Sequence, residues 1–456
     1  MPSNVPRGLH DRTVTNTGPD AGRHARPLEA WFTPFGLVNG AAVGLAPILL
    51  PVVAVRYGVA HVGLVMGAFN LGMFAAPAVG SVADRRHMHR SLAAGCAAAS
   101  ALSLWLFPLA GASVQLVLAL ANGAGFAGAM TIANLLIVER RPKVEWDQRF
   151  SWLETVLSVG QCGALILAAW LSGLHPHTGL LIGAMVPAAA IPLALLLIPR
   201  MPVAVGPGRS SATSSAAAGA PPDARPAGAA HALRSAGHVG EWGPASPSRM
   251  HHVHHRGLPF SGIARLFRGG FGWMLAAWIP AYAGSAVVFS LYPVLFQHSF
   301  GVSPQTSALA FALIVFVSLP LYIIAGRVSR RHGPAAVMVA AFAARVTLLA
   351  ALAALAVAGH VPAVLPLAMF GGILFAWSFL SVASPGLTGD LMPNAEGDAQ
   401  GLLSASSGLA GLLGSVLGGL VAGRWGYPLA LGLAAVSTAA GMVIFATRTL
   451  RSHRGV

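Results

Sequence analysis

A short block of residues combines charges of both signs between two long apolar runs. Residues 80–90 read Gly-Ser-Val-Ala-Asp-Arg-Arg-His-Met-His-Arg. Asp84 is the one acid in this block, and Arg85, Arg86 and Arg90 are close to it in sequence. A carboxylate among arginines can exchange partners between two conformations, which is the chemistry of a charge-operated latch. The same residues could instead only anchor a turn in solvent, and both interpretations stay open at this point.

A second block repeats this pattern. Residues 326–334 read Gly-Arg-Val-Ser-Arg-Arg-His-Gly-Pro, with Ser329 in the place of Asp84. Both blocks follow an apolar run of membrane length, so each indicates a tight basic hairpin between two transmembrane helices. The repetition indicates that the chain consists of two related halves, of which only the first carries the acid.

The apolar runs around these hairpins are the elements that position them. Of the 456 residues, 55% are hydrophobic and only 9% are charged, and the mean hydropathy is +0.69. This composition excludes a soluble globular protein and indicates a polytopic membrane protein. Since about 20 apolar residues cross a hydrocarbon core, we predict an all-α fold with twelve transmembrane helices. They fall at residues 33–55, 61–83, 91–110, 114–138, 152–174, 178–198, 271–297, 305–326, 335–358, 362–386, 400–423 and 428–447.

Polar segments divide these spans into domains. Residues 1–29 and 448–456 are predicted to be disordered cytoplasmic tails, with no cleaved signal peptide, and residues 199–259 a disordered cytoplasmic linker rich in Ala, Gly, Ser and Pro. The N-terminal six-helix bundle covers residues 30–198. Residues 260–447 hold a short interfacial helix and the C-terminal six-helix bundle.

The positive charges fall on one side of the predicted topology. The formal net charge is +15, which by itself would be compatible with nucleic-acid binding. All Lys and Arg residues except Arg56, Arg424 and Arg345 fall on one alternating set of loops and tails. This asymmetry follows the positive-inside rule and predicts that both termini are cytoplasmic. We therefore expect a lipid bilayer and no nucleic acid as partner.

Several other kinds of site find no support in the sequence. No Gly-rich phosphate loop with its Lys occurs, so direct ATP drive is not expected. No set of nucleophile, base and orienting residue suggests an enzyme, and we expect no cofactor. The tract His251-His252-Val253-His254-His255 lies in the linker without a Cys or acid at ligand spacing. A solvated polar tract is therefore favoured over a metal site.

The first hairpin resembles the loop signature of the major facilitator superfamily. Gly80, Ala83, Asp84, Arg85 and Arg90 match its pattern, and the resemblance covers about residues 30 to 447. Met392-Pro393, Gly401-Leu402 and the glycines at 408, 411, 414, 418 and 419 are similar to the loop and eleventh helix of many facilitators. The resemblance implies two pseudo-symmetric six-helix bundles with a substrate path between them.

The resemblance also implies a gate. In the family, the acid of the hairpin stabilises one closed state against the start of helix eleven, where a helix N-terminus favours an anion. The acids before that helix, Asp390, Glu396 and Asp398, are candidates to receive the hairpin arginines. The predicted gating residues are Gly80, Asp84, Arg85, Arg90, Gly326, Arg330, Asp390 and Asp398.

Two charged residues lie within or at the edge of predicted spans. No Asp or Glu falls near the centre of a span, where proton coupling normally needs one. Glu154, at the start of the fifth span, is the coupling candidate, and a pair with Arg149 is the alternative. Arg345 is the one charge near a midplane, on a ninth helix that is peripheral in this fold. We expect it to contact a polar neighbour or to snorkel, rather than to bind substrate.

The substrate site is predicted from polar and aromatic residues on the helices that line the cavity in this fold. Together they describe a neutral, aromatic and weakly polar cavity, which suits an amphipathic or uncharged solute better than a phosphate or a dicarboxylate. The candidates are Asn39, Asn70, Asn122, Gln161, Tyr282 and Trp377, with Phe69, Phe126, Phe289 and Ser381 nearby.

These observations predict a secondary transporter of the major facilitator type. The two signature loops and the glycine-rich eleventh helix favour export of a small amphipathic compound, with proton coupling left open. An uptake carrier or uniporter, and a non-transporting membrane sensor with the same fold, are the alternatives. We expect a monomeric, multi-pass protein of the bacterial inner membrane.

Overall fold

The computed structural model describes residues 29–86, 88–140, 146–199, 269–359, 361–392 and 396–449. Within these ranges the chain is helical, and twelve helical segments are long and apolar enough to span a membrane. Helices suit this setting because they satisfy every backbone polar group inside the segment. Most of the predicted tails, most of the predicted linker with its histidine tract, and the predicted interfacial helix lie outside the described residues.

The twelve spanning segments confirm the predicted number and order. We label them α1 to α12 in chain order. They are Ala30–Tyr57, Val59–Ala83, His89–Leu109, Ala112–Ile137, Arg149–Ser172, His177–Leu197, Gly270–Phe300, Pro304–His332, Pro334–Ala358, Val364–Leu391, Gly401–Trp425 and Tyr427–Arg448.

The chain turns at two ends of the bundle. The short-turn end holds the turns α1–α2, α3–α4, α5–α6, α7–α8, α9–α10 and α11–α12. Four of these turns contain a glycine with a positive φ, at Gly58, Gly301, Gly359 and Gly426, a conformation that other residues adopt only at a cost. The opposite end, which we call the basic-loop end, holds both hairpins of the sequence pattern.

The hairpins are shorter than the sequence pattern suggested. Helix continues without a break over Ala76–Arg86 in the first and over Pro304–His332 in the second. The turns expected between the predicted spans, at residues 84–90 and 327–334, are therefore too long. Polar residues beyond the hydrocarbon core still bond along a helix, so the end of the apolar run is not the end of the helix. The second hairpin turns at Gly333, where φ is +82°.

Segment α1 is not a uniform α-helix. Residues Gly40–Leu45 form a π-helical segment, a rare conformation that usually marks an extra residue in a helix. This segment packs on α5 at very short range, because a Cβ atom added at Gly40 would lie 3.0 Å from the carbonyl carbon of Gly160.

The buried core is joined at one end of the molecule and divided at the other. At the short-turn end, a single apolar cluster includes residues from both halves, such as Leu45 and Val65 of the first and Leu295 and Leu431 of the second. At the basic-loop end there are two separate clusters. One lies wholly in the first half and the other wholly in the second. Among the described residues, the two six-helix halves therefore share a core only at the short-turn end.

Helices α2 and α11 join the halves by close backbone contact. A Cβ atom added at Gly63 would lie 2.6 Å from the Cα atom of Gly419, and it would also meet the carbonyl oxygen of Ser415. A Cβ atom added at Gly423 would lie 3.3 Å from that of Ala60. Small residues allow such an approach, so the contact depends on the absence of side chains.

Candidate functional site

A cavity lies between the two halves, at the depth where the shared core divides. It has a volume of about 70 Å³, which is room for only a few water-sized groups. Helices α1, α2, α7, α10 and α11 form its wall. The lining residues are Ala42, Val43, Pro47, Met66, Phe69, Asn70, Tyr282, Ser285, Ala286, Phe289, Ser290, Trp377, Gly411 and Ser415.

The first half contributes an apolar wall with one amide. Phe69 is stacked on Phe126, with ring centroids 6.3 Å apart. Asn70 donates from its Nδ2 to the carbonyl oxygen of Met66, at 2.8 Å, and to the Ser415 hydroxyl across the interface, at 3.4 Å. Asn70 therefore lies where α2 and α11 meet, and its amide links the two halves at the cavity.

The second half contributes an aromatic wall. The rings of Trp278, Tyr282 and Trp377 contact one another, and the centroids of Tyr282 and Trp377 are 5.4 Å apart in an edge-on arrangement. Trp278 donates from Nε1 to the Ser407 hydroxyl at 2.8 Å, which fixes the cluster to α11. Large aromatic rings with a few polar groups are typical of small-molecule sites.

Arg345 lies behind this aromatic wall. Its side chain is only 1% exposed. The guanidinium donates from a terminal nitrogen to the Ser285 hydroxyl, and its central carbon lies 5.6 Å from the ring centroid of Trp377. The expected contact with a polar neighbour is confirmed, whereas snorkelling to the membrane surface is wrong because the group is fully enclosed. A helix at the periphery thus directs its charge inward.

The cavity wall includes three of the six predicted substrate residues, Asn70, Tyr282 and Trp377. Asn39 instead donates from Nδ2 to the carbonyl oxygen of Leu157, at 2.9 Å, and so ties α1 to α5. Gln161 donates from Nε2 to the carbonyl oxygen of Val43, at 3.5 Å. Its side chain therefore lies one layer behind the lining residue.

Asn122 is buried in α4, outside the wall. Neither its amide nitrogen nor its oxygen has a hydrogen-bond partner among the described residues. Of the aromatic and hydroxyl residues expected nearby, Phe69 and Phe289 line the cavity, while Phe126 lies behind Phe69. Ser381 donates to the carbonyl oxygen of Ser378 on its own helix.

The predicted gating residues lie at the basic-loop end. Gly80 is buried, and a Cβ atom added there would lie 2.9 Å from the Thr131 side chain, whereas Gly326 has nothing within 4 Å of that position. Arg90 is half-buried, and Arg330 and Asp390 are exposed. The backbone is helical at Asp84, Arg85 and Asp398, but their side chains lie outside the description. The latch therefore stays a prediction.

The predicted coupling residue is buried in the first half. Glu154 is 4% exposed, near the start of α5. Arg149, proposed as its alternative partner, forms an ion pair with Glu29, with 2.8 Å between the charged atoms. Glu29 also accepts a hydrogen bond from Trp31 Nε1 at 2.6 Å. Arg149 thus ties the start of α1 to the start of α5.

Sequence reasoning missed the hydroxyl groups of the wall. Ser285, Ser290 and Ser415 line the cavity, and Ser285 is the residue that contacts Arg345. For the Ser285 hydroxyl, the one signal in the sequence is Arg345. A charge at the middle of a span needs a polar partner, but the sequence does not reveal which helix supplies it.

Two other features of the molecule do not form a convincing polar site. A cleft of about 500 Å³ lies among α8, α9 and α10, and its lining is apolar apart from His332. It therefore has one polar side chain to orient a polar solute. Among the described residues, no group of three or more His, Cys, Asp or Glu side chains could hold a metal ion.

The chain was compared with known families and curated proteins. Residues 274–455 match the model of the family described as Major Facilitator Superfamily. A sequence search of curated proteins gave no match. The family match is thus limited to the second half of the chain.

Solved structures are similar over nearly the whole chain. The nucleoside transporter NupG has 16% identity and a TM-score of 0.64, over 91% of this chain and 96% of that one. A D-xylose-proton symporter has 14% identity and a TM-score of 0.63, over 94% and 97%. The human organic anion transporter MFSD10 has 16% identity and a TM-score of 0.55, over 92% and 99%. The chain is therefore a multi-pass membrane protein with the major facilitator fold.

Proposed function

We propose that the protein is a secondary transporter that works by alternating access. The observation that carries this proposal is the divided core. Two six-helix halves share a core at the short-turn end and have separate cores at the basic-loop end, and the cavity lies at the division. Rocking of one half against the other would close the divided end and open the joined end, with the cavity as the fixed point.

The proposal also assigns which end of the bundle faces the cytoplasm. The basic residues of the two hairpins lie at the divided end, and cytoplasmic loops are enriched in Lys and Arg. We therefore take the basic-loop end as cytoplasmic and the conformation as inward-facing. Both termini would then be cytoplasmic, in the bacterial inner membrane.

The proposed substrate is a small amphipathic organic compound. The aromatic wall and the scattered hydroxyl and amide groups support this class. The cavity of about 70 Å³ is smaller than the roughly 300–1,000 Å³ of typical ligand pockets, so its walls must part to admit such a compound. Export is the proposed direction, on the two signature hairpins and the glycine-rich α11. Uptake and uniport are the competing outcomes of the test.

The first test locks the joined end. Cysteines at positions 60 and 423 would face each other across α2 and α11, so Ala60→Cys with Gly423→Cys should form a disulfide in a protein whose Cys96 and Cys162 are replaced. Substrate flux in proteoliposomes should stop on oxidation and recover on reduction. The two single-cysteine variants are the controls. Unchanged flux in the oxidised double variant would contradict alternating access.

The transported compound and the driving force come from a second measurement. Compounds that raise the unfolding temperature of the purified protein are selected first, because a specific ligand stabilises the folded state in proportion to its occupancy. Their flux is then measured with and without a pH gradient. Dependence on the pH gradient supports proton antiport, and flux driven by the substrate gradient alone supports a uniporter. Binding without flux would support the sensor instead.

A further inference from the structure

Arg345 places a positive charge at the middle of the membrane. It is the twelfth residue of the 25-residue segment α9, which corresponds to a depth of about 17 Å at 1.5 Å per residue. Charged side chains at this depth are costly and are usually retained for a function. Groups near Arg345 or a bound ligand must therefore stabilise this charge.

No described carboxylate balances this charge. Two ion pairs, His89 with Glu139 and Arg149 with Glu29, lie in the first half and far from Arg345 in sequence. The acids of the second half, Asp390, Glu396 and Asp398, all lie at the basic-loop end. Around Arg345 the structure supplies neutral groups, the Ser285 hydroxyl, the face of Trp377 and, close by, Tyr282. The Arg345 Nε has no hydrogen-bond partner among the described residues.

Both contacts of Arg345 also line the cavity. Ser285 and Trp377 have one side toward the guanidinium and another toward the space between the two halves. A single layer of side chains therefore separates the charge from a bound solute. In a site of low polarity, a charge at this range acts strongly on a solute because little water screens it.

We propose that the substrate carries an anionic group, which binds against Ser285 and Trp377 and neutralises Arg345. The proposal rests on the proposed transport function and narrows its substrate class to amphipathic organic anions. Arg345 acts as a specificity-determining residue, because its charge favours an anion over an uncharged compound of the same shape. The Ser285 hydroxyl, which now donates to the Ala281 carbonyl oxygen at 3.0 Å, can turn to donate to the anion.

A purely structural arginine would behave differently. If Arg345 only tied α9 to α7, removal of its charge would weaken the fold, since a buried polar contact would be lost. If the Arg345 charge is instead balanced only when an anion binds, an apolar side chain of similar length at this position should be tolerated in the protein without ligand. It could even raise the stability of that form. Replacing buried charges by apolar residues often has that effect.

The test compares Arg345→Met with Arg448→Gln in purified full-length protein. Arg448 is the matched control because it also lies over a tryptophan, with its central carbon 5.1 Å from the Trp273 ring centroid, but it is exposed at the end of α12. The probes are pairs of aromatic compounds, each a carboxylate, sulfonate or phosphate ester with its uncharged amide or ester. The readouts are the unfolding temperature and Kd.

We expect at least one anion to stabilise the wild type and Arg448→Gln more than its uncharged partner does. Arg345→Met should unfold no earlier than the wild type without ligand, and it should bind that anion roughly tenfold to a hundredfold more weakly. The proposal is overturned if no anion outperforms its uncharged partner in the wild type, or if Arg345→Met binds the anion as tightly. Transport of uncharged compounds alone would overturn it while leaving the proposed transport function intact.

Discussion

The two ends of the bundle are built on different principles. At the short-turn end the halves meet through glycines, so that backbone lies on backbone, as at Gly63 and Gly419. At the basic-loop end the cores are separate, and the sequence there is rich in Arg with a few acids. The joined end is thus held by the fit of two surfaces, whereas closure of the divided end would have to rely on charge. Side-chain size should control the first end, and charge the second.

The largest effect is expected from a side chain at the joined end. Gly63→Val would push a branched side chain into the Gly419 backbone, which overpacks the joined state by about 1–3 kcal/mol. Transport should fall at least about tenfold, and a cysteine at position 60 should become more accessible to a water-soluble maleimide. Gly95→Val is the control, because nothing lies within 4 Å of a Cβ atom there. Equal flux in both variants would contradict the claim that side-chain size controls the joined end.

A charge change at the divided end should have the next largest effect. Asp84→Asn removes the acid of the predicted latch, so the protein should close that end less often and transport several-fold more slowly. The measurement is labelling of a cysteine at Ser415, in the cavity wall, during turnover. Ser329→Asn is the matched control, since Ser329 occupies the corresponding place in the second hairpin. Identical labelling and flux in both variants would exclude the latch.

A smaller effect is expected at the cavity itself. Asn70→Ala removes the amide that bridges to Ser415 at 3.4 Å. This is a long and therefore weak hydrogen bond. We expect a change of a few fold in KM with little change in unfolding temperature. A loss of folding stability without any change in KM would show that Asn70 is structural.

The smallest effect on transport is expected from Asn39→Ala. Its amide bonds the Leu157 carbonyl inside the first half, and Asn39 is not one of the residues that line the cavity. Loss of this buried hydrogen bond should lower the free energy of unfolding by about 1 kcal/mol, measured by thermal or denaturant unfolding. KM should stay unchanged, in contrast to Asn70→Ala. A raised KM in Asn39→Ala would indicate that Asn39 contacts the substrate.

The sequence predicts how deep a residue lies in the membrane better than it predicts which neighbouring helix its side chain faces. All twelve spans were predicted, because hydropathy and length follow directly from the thickness of the hydrocarbon core. Tyr282 and Trp377 line the cavity. Asn39 and Gln161 sit at a similar depth, but they turn toward a neighbouring helix.

Arg345 illustrates the same limit. Its depth is plain from the sequence, but the helix it faces is set by packing within the second half. Hydropathy carries little of that information, because these helices are apolar on nearly all sides. Ser285 could be recognised as its partner only when α7 and α9 were seen together. The divided core likewise depends on contacts between residues hundreds of positions apart.

The π-helical segment at Gly40–Leu45 determines which side chains of α1 face the cavity. Such a segment holds an extra residue compared with an α-helix, and one residue corresponds to about 100° around the axis. Everything after it on α1, including Pro47 in the cavity wall, is therefore out of phase with Phe35 before it. A relative that lacks this one residue would show the same hydropathy profile but would turn a different set of side chains toward its solute.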